Sequence, residues 1–163
     1  MITVAGPNDF KTIQQIAHRT WPATYGSILS EAQLQYMLDA FYSDTTLLQN
    51  YTEKNHQFLI FREDAIALGF VSFEHQYEGN LATRIHKLYV LPNTQGQGIG
   101  RQLLDAVVPI AAANRSKLLS LNVNRFNKAK DFYLRYGFEI VKEEDIDIGE
   151  GYLMEDYVME FPL

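Results

Sequence analysis

The segment Leu88-Tyr89-Val90-Leu91-Pro92-Asn93-Thr94-Gln95-Gly96-Gln97-Gly98-Ile99-Gly100-Arg101 limits the fold more than any other part of the chain. It reads as a strand closed by Pro92, a glycine-rich loop, and a helix that starts near Gly98. Glycines at 96, 98 and 100 remove side chains that would keep a ligand from the amides. The helix behind them supplies free N–H groups at its positive end, and such a construction holds phosphate oxygens. A turn needed only for chain reversal has the same composition, so spacing has to discriminate. A dinucleotide fingerprint requires glycine where Arg101 stands, and a nucleoside-triphosphate loop requires a terminal Gly-Lys-Ser/Thr that is absent. What is left is a pyrophosphate in another carrier.

The rest of the chain can be read around this loop. Its 163 residues suffice for one domain with a real core, and no repeat, low-complexity tract or linker divides them. We expect a single domain over 1–163. Cysteine is absent, which excludes disulfides, thiolate metal sites and any acyl-cysteine intermediate. The start MITVAGPNDFK lacks the basic and apolar regions of a leader, and no run approaches the ~18 apolar residues of a membrane span. A soluble, cytoplasmic protein is expected, with no membrane partner. Net charge is −6, which argues against a general nucleic-acid binder and suits a cationic or neutral partner.

A strand at Ile2 to Val4 precedes a helix capped by Asn8 or Asp9, with Phe10, Ile13, Ile16 and Ala17 on its apolar face; Pro22 should end it. Ser30 and Gln33 form a capping box for a second helix, and Asp44 caps a short third. Runs at 56–61 and 65–73 read as a hairpin, and 82–91 as another strand. The helix over 98–113 should kink or end near Val108, because Pro109 interrupts it. A strand at 117–123, a helix at 127–136 ended by Gly137, and a last hairpin over 138–148 and 152–161 complete the order. Hairpins at both ends around a strand, helix, strand crossover predict an α+β fold. Its sheet is mixed and mostly antiparallel, flanked by helices, with a central parallel pair.

The loop resembles that of the GNAT superfamily of N-acetyltransferases, Gln/Arg-x-x-Gly-x-Gly/Ala after a strand ending Leu-x-Val-x-Pro. Gln95, Gly98 and Gly100 meet the first pattern; Leu88, Val90 and Pro92 meet the second. A second segment, Asn127-Lys128-Ala129-Lys130-Asp131-Phe132-Tyr133-Leu134-Arg135-Tyr136-Gly137-Phe138, is similar to the family's other CoA-binding element. Asn127 stands two residues before Ala129 where the commoner pattern has three, which puts its cofactor contact in question. Trp21, Tyr25 and Gly26, with the stretch from Gly149 to Met159, resemble spermidine/spermine N-acetyltransferases more loosely.

The resemblance implies a GNAT fold whose central strands splay around acetyl-CoA, the cosubstrate. It implies cofactor contacts from Leu88, Tyr89 and Val90, from Gln95, Gly96, Gln97, Gly98, Ile99, Gly100 and Arg101, and from Asn127 and Tyr133. Tyr133 matches the general-acid position, with core packing as the alternative. Family members often carry a base Glu on the strand before Leu88, whereas this chain has Arg84-Ile85-His86-Lys87. His86, two residues before Leu88 and hence expected on the same strand face, is the candidate base; Glu74, His75 or a water chain compete. Trp21 and Tyr25 are candidates to line the acceptor mouth, or else core aromatics. The acidic run Glu143-Glu144-Asp145, with Asp147, Glu150, Glu155 and Asp156, could attract a polyamine or could be a solvated hairpin. His18, His56 and His75 show no ligand spacing, so no metal is expected. The expected reaction is direct transfer of acetyl from acetyl-CoA to a small-molecule primary amine, a polyamine or another. A CoA-binding module without efficient chemistry and acetylation of a protein or peptide amine are the alternatives. The family also admits a homodimer.

Overall fold

The computed structural model describes residues 1–163. Seven strands form one sheet: β1 (Ile2–Ala5), β2 (Gln57–Glu63), β3 (Ile66–Glu74), β4 (Ala82–Val90), β5 (Leu118–Asn124), β6 (Glu139–Asp147) and β7 (Leu153–Pro162). They lie in the order β1-β2-β3-β4-β5-β7-β6, every pair antiparallel except β4 and β5. Five helices flank the sheet: α1 (Phe10–Tyr25), α2 (Glu31–Tyr42), α3 (Asp44–Thr52), α4 (Ile99–Ala113) and α5 (Ala129–Tyr136). The expected α+β architecture is the one observed.

Paired strand residues share a face, so the register assigns the two sides of the sheet. Phe70 and Tyr89 are partners, and their rings pack with Tyr42 and Trp21 of α2 and α1. Gly69 and Val90 are partners on the other face, where a side chain at Gly69 would meet Val90 and Ile99 of α4 at 3.2 and 3.4 Å. The core is thus two layers against one sheet. Phe58, Ile60 and Phe70 with Ile13 and Met37 fill the first; Leu103, Leu104 and Val107 with Leu119 and Leu121 fill the second.

Pro22, expected to end α1, and Pro109, expected to kink or end α4, both lie inside their helices. α1 continues past Pro22 to Tyr25, and α4 past Pro109 to Ala113. Each ring is exposed, so the carbonyl it deprives of a partner can be hydrated, while Trp21 and Tyr25, or Val107 and Ala111, stay buried on the opposite stripe. Burial of the large side chains on those stripes, Trp21 and Tyr25 in α1 and Leu103, Leu104 and Val107 in α4, each worth roughly 1.5–3 kcal/mol, offsets the ~3 kcal/mol cost of a helical proline. Capping also differs at two helices: Asp9 precedes α1 without capping it through its side chain, which accepts from the Gly6 amide at 3.0 Å instead. Ser43, not Asp44, accepts from the Thr46 amide at 3.1 Å to start α3; Ser30 caps α2 through Gln33 as expected.

Leu104 is fully buried between α4 and the sheet. Leu104→Ala should cost about 2–5 kcal/mol, seen in urea titration as a lower midpoint with an unchanged slope.

Candidate active site

The parallel pair is short. Ala82, Thr83, Arg84 and Ile85 of β4 pair with Leu118, Leu119, Ser120 and Leu121 of β5, and no pairing continues beyond. From Lys87 to Val90 the strand bonds only to β3, so its other edge opens on a cavity of about 690 Å³. β4 also bulges where the strands part: Ser72 faces Lys87 and Phe73 faces Ile85, leaving His86 as the extra residue. Bulges re-aim side chains next to sites.

The loop of Gln95 to Arg101 closes one end of this cleft. Gly96 and Gly98 have φ of +85° and +77°, a left-handed conformation that glycine adopts without strain, and a side chain at either would meet nothing within 4 Å. The first amide of α4 with a backbone acceptor is that of Gln102, bonded to the Gly98 carbonyl at 3.0 Å. The amides from Gly96 to Arg101 are therefore free at the positive end of a helix, a cradle for phosphate. Gly100 serves another purpose: a side chain there would lie 3.3 Å from Phe132, so its absence lets α4 and α5 close together.

The other loop residues divide. Gln95 donates to the Val90 carbonyl at 3.1 Å and braces the strand end, and Ile99 is buried in the core behind the amides. Gln97 is exposed and off the cavity wall. Arg101 is exposed, over the Tyr136 ring at 5.4 Å and 4.0 Å from Asp105. Lys128 and Arg135, which sequence reasoning missed, join Arg101 on the lining. A protein of net charge −6 thus presents cations where phosphates would sit.

Across the cleft, Asn127 accepts from the Ala129 amide at 2.9 Å through Oδ1 and so starts α5. Its amide nitrogen is left to donate into the cavity that it lines. Tyr133 also lines the cavity, and its hydroxyl has no partner in the protein. Burial raises its pKa, followed in effect by Tyr25, so the hydroxyl is a donor at neutral pH. Tyr25 and Tyr89 share a hydrogen bond of 3.0 Å beside it. Trp21 stands one layer behind, against Tyr25, Tyr42 and Tyr89, and does not reach the cavity. Its expected place at the acceptor mouth is corrected: the stripe that carries Trp21 faces the sheet.

The bulge corrects a second expectation. His86 does not share a face with Leu88; Glu74 is the partner of Arg84, and His86 Nε2 lies 2.9 Å from Glu74 Oε1, on the face shared by Arg84 and Lys87. Burial, then His56, Lys87, Arg84 and Lys54, hold its pKa far below the ordinary histidine value, so the ring is neutral at pH 7. On the same face Asn122 donates to Glu144 and to Asp156, each at 3.2 Å, next to Tyr25 and Asn127. Asp156 is buried with one carboxylate oxygen unpartnered, and burial raises its pKa. Nothing in sequence spacing brings these together; the register of β5, β6 and β7 does.

A phosphate cradle, an unpaired strand edge and a protonated tyrosine around one cleft define an acyl-CoA-dependent acyltransferase. Residues 27–160 match the family model of the acetyltransferase (GNAT) domain, and the chain belongs to that family. The domain is accordingly an N-acetyltransferase with acetyl-CoA as cosubstrate. A spermidine N(1)-acetyltransferase of Thermoplasma acidophilum is 28% identical over 152 residues, 90% of each chain. An uncharacterized N-acetyltransferase of Archaeoglobus fulgidus is 35% identical over 75 residues, 43% of this chain and 51% of that one. This match spans about half of the Archaeoglobus protein. Among solved structures, PaiA N-acetyltransferase from Thermoplasma acidophilum, in complex with coenzyme A, superposes with a TM-score of 0.83 at 24% identity, covering 100% of this chain and 98% of that one. A GCN5-related N-acetyltransferase from Rhodopseudomonas palustris gives 0.85 at 20% identity, covering 100% and 95%. No helix is long and apolar enough to cross a membrane.

Gly98→Val should weaken acetyl-CoA binding about tenfold or more in calorimetry. Its left-handed backbone strains a β-branched residue by ~1–2 kcal/mol, and the side chain would overhang the amides.

Proposed function

We propose that this protein transfers the acetyl group of acetyl-CoA to the primary amine of a small cationic acceptor, a polyamine by preference, directly within a ternary complex. The observation that carries the reading is the strand edge from Lys87 to Val90, unpaired beside free amides at one end and the Asn122, Glu144 and Asp156 group at the other. Asn122 lines the cleft, and the two carboxylates behind it, with Arg84 and Arg125 offsetting part of their charge, favour a cationic over an anionic acceptor. The relative named for spermidine, similar over nine-tenths of both chains, supports a polyamine. Absence of cysteine leaves direct transfer as the route.

In this reading the pantetheine adds alongside Leu88, Tyr89 and Val90 as an extra strand would, and an amide near Val90 donates to the developing oxyanion. The pyrophosphate sits on the amides of Gly96 to Arg101, and Asn127 donates to the cofactor from the opposite wall. Tyr25 borders the acceptor. Tyr133 donates a hydrogen bond to the departing thiolate; a raised tyrosine pKa against ~8.5 for a thiol favours a hydrogen bond over full transfer. His86, neutral at pH 7, takes the ammonium proton.

CoA release measured with a panel of polyamines, amino acids and peptide N-termini tests the acceptor class. Polyamines should release CoA fastest. Release only with peptides would make the acceptor a protein, and binding without release would leave a CoA-binding module.

Tyr133→Phe should lower turnover by about 100-fold with acetyl-CoA affinity unchanged; unchanged turnover at saturating substrate removes the role. The pH profile gives a second check. Alkylammonium acceptors titrate near ~10, so kcat/KM for the amine should rise through neutral pH, while the acidic limb of kcat due to His86 should fall below ~6.5 because the folded-state pKa is depressed.

A further inference from the structure

Three polar side chains from separate parts of the chain meet beside the bulge. His56 stands just before β2, Glu74 ends β3, and His86 is the extra residue of β4. Glu74 Oε1 lies 2.9 Å from His86 Nε2 and 3.3 Å from His56 Nε2, and the two imidazoles stack at 4.0 Å with 11° between their planes. His56 is 5% exposed, and neither of its ring nitrogens has a hydrogen-bond partner. Burying an imidazole this way is unfavourable, so packing alone does not account for it. The nearly parallel planes keep the in-plane lone pairs from converging on one point, and Lys54, Arg84 and Lys87 stand close by. This arrangement does not suit a shared cation.

It does suit a ring held in one orientation. A carboxylate on one nitrogen of a neutral imidazole fixes that nitrogen as the N–H donor and leaves the other as the acceptor. Nδ1 of His86 makes no hydrogen bond in the protein and is not sealed from solvent, unlike both nitrogens of His56. His86 also lines the cleft. His56 stacks on its ring, and Tyr77 meets it edge-on at 5.5 Å from a turn in which Gln76 and Glu78 have φ of +51° and +53°. Such left-handed backbone at non-glycine residues is strained and clusters at functional sites.

We propose that Glu74 is a positioning residue for His86, setting the tautomer that aims Nδ1 at the acceptor amine and balancing the imidazolium that forms, with His56 as the platform beneath. The inference rests on the reading of His86 as proton acceptor. In the step it serves, the acceptor ammonium gives one proton to His86 Nδ1, and the freed amine forms the C–N bond at the thioester carbonyl. Collapse breaks the C–S bond, and the second amine proton goes to the CoA sulfur, to which Tyr133 donates. The imidazolium then returns its proton to water. Beside Glu74, the charged and titratable groups facing His86 are His56, Lys54 after α3, Tyr77 in the turn before β4, and Arg84 and Lys87 on β4; Glu78 faces Glu74.

Glu74→Gln keeps an acceptor for the Nε2 proton and removes the charge. It should lower kcat at least about tenfold, since the imidazolium loses its counter-charge, with KM for acetyl-CoA unchanged. Glu74→Asp, which keeps the charge, should recover part of kcat. An acetyl-CoA-induced rise in melting temperature confirms that each variant is folded. Wild-type kcat in Glu74→Gln, with His86→Ala inactive, overturns this inference alone. Wild-type turnover in His86→Ala overturns the base assignment and the inference with it. If Glu74→Gln does not fold, Glu74→Asp decides, and wild-type kcat there overturns the proposal.

Discussion

The separation of β4 from β5 after Ile85 and Leu121 is the constraint on which the rest of the site depends. A buried backbone edge without hydrogen bonds is unfavourable, and natural sheets cover or pair their edges. Here the edge from Lys87 to Val90 is held open by the elements that also bind. The bulge at His86 turns the strand as pairing stops, Gln95 ties the loop to the Val90 carbonyl, and Phe132 against Gly100 fixes α4 to α5 across the gap. In the proposed function the pantetheine of acetyl-CoA supplies the missing bonds.

Arg101, Lys128 and Arg135 stand beside the free amides, Lys87 lines the cleft further along, and Glu144 with Asp156 stand behind Asn122 together with Arg84 and Arg125. Between them burial acts on each titrating group in the same sense, favouring neutral forms: Tyr133 stays protonated and His86 stays unprotonated at pH 7. In the proposed reaction a neutral donor and a neutral acceptor match the two proton movements of amine acetylation.

Local chemistry made much of this legible in the sequence. Period and punctuation located all seven strands, Ser30 and Gln33 marked α2, and the glycine spacing excluded the two nucleotide loops, leaving the family resemblance to suggest CoA. The failures have physical causes. Pro22 and Pro109 sit on solvated stripes, where a lost backbone bond goes to water and core burial carries the helix onward. Trp21 was a candidate for the acceptor mouth, but the helical stripe it shares with Ala17 and Tyr25 points at the sheet. His86 lies opposite Leu88 because a one-residue bulge breaks the alternation, and a bulge leaves no mark in the period of a strand rich in charged and apolar residues alike. That Glu74 and His56 meet His86 was hidden for another reason. Their meeting with His86 is made by the registers of three strands, information that spacing along the chain does not contain.

The central claim is that acetyl-CoA occupies the open edge of β4 and the amide cradle behind it. Amide hydrogen exchange with and without acetyl-CoA tests it most directly, since it reads backbone hydrogen bonds residue by residue. Slower exchange confined mainly to Lys87 to Val90 and Gly96 to Arg101, with little change in β1, β2 and α3, is the predicted result. Saturating acetyl-CoA that leaves those two segments exchanging at their free rates would contradict the account.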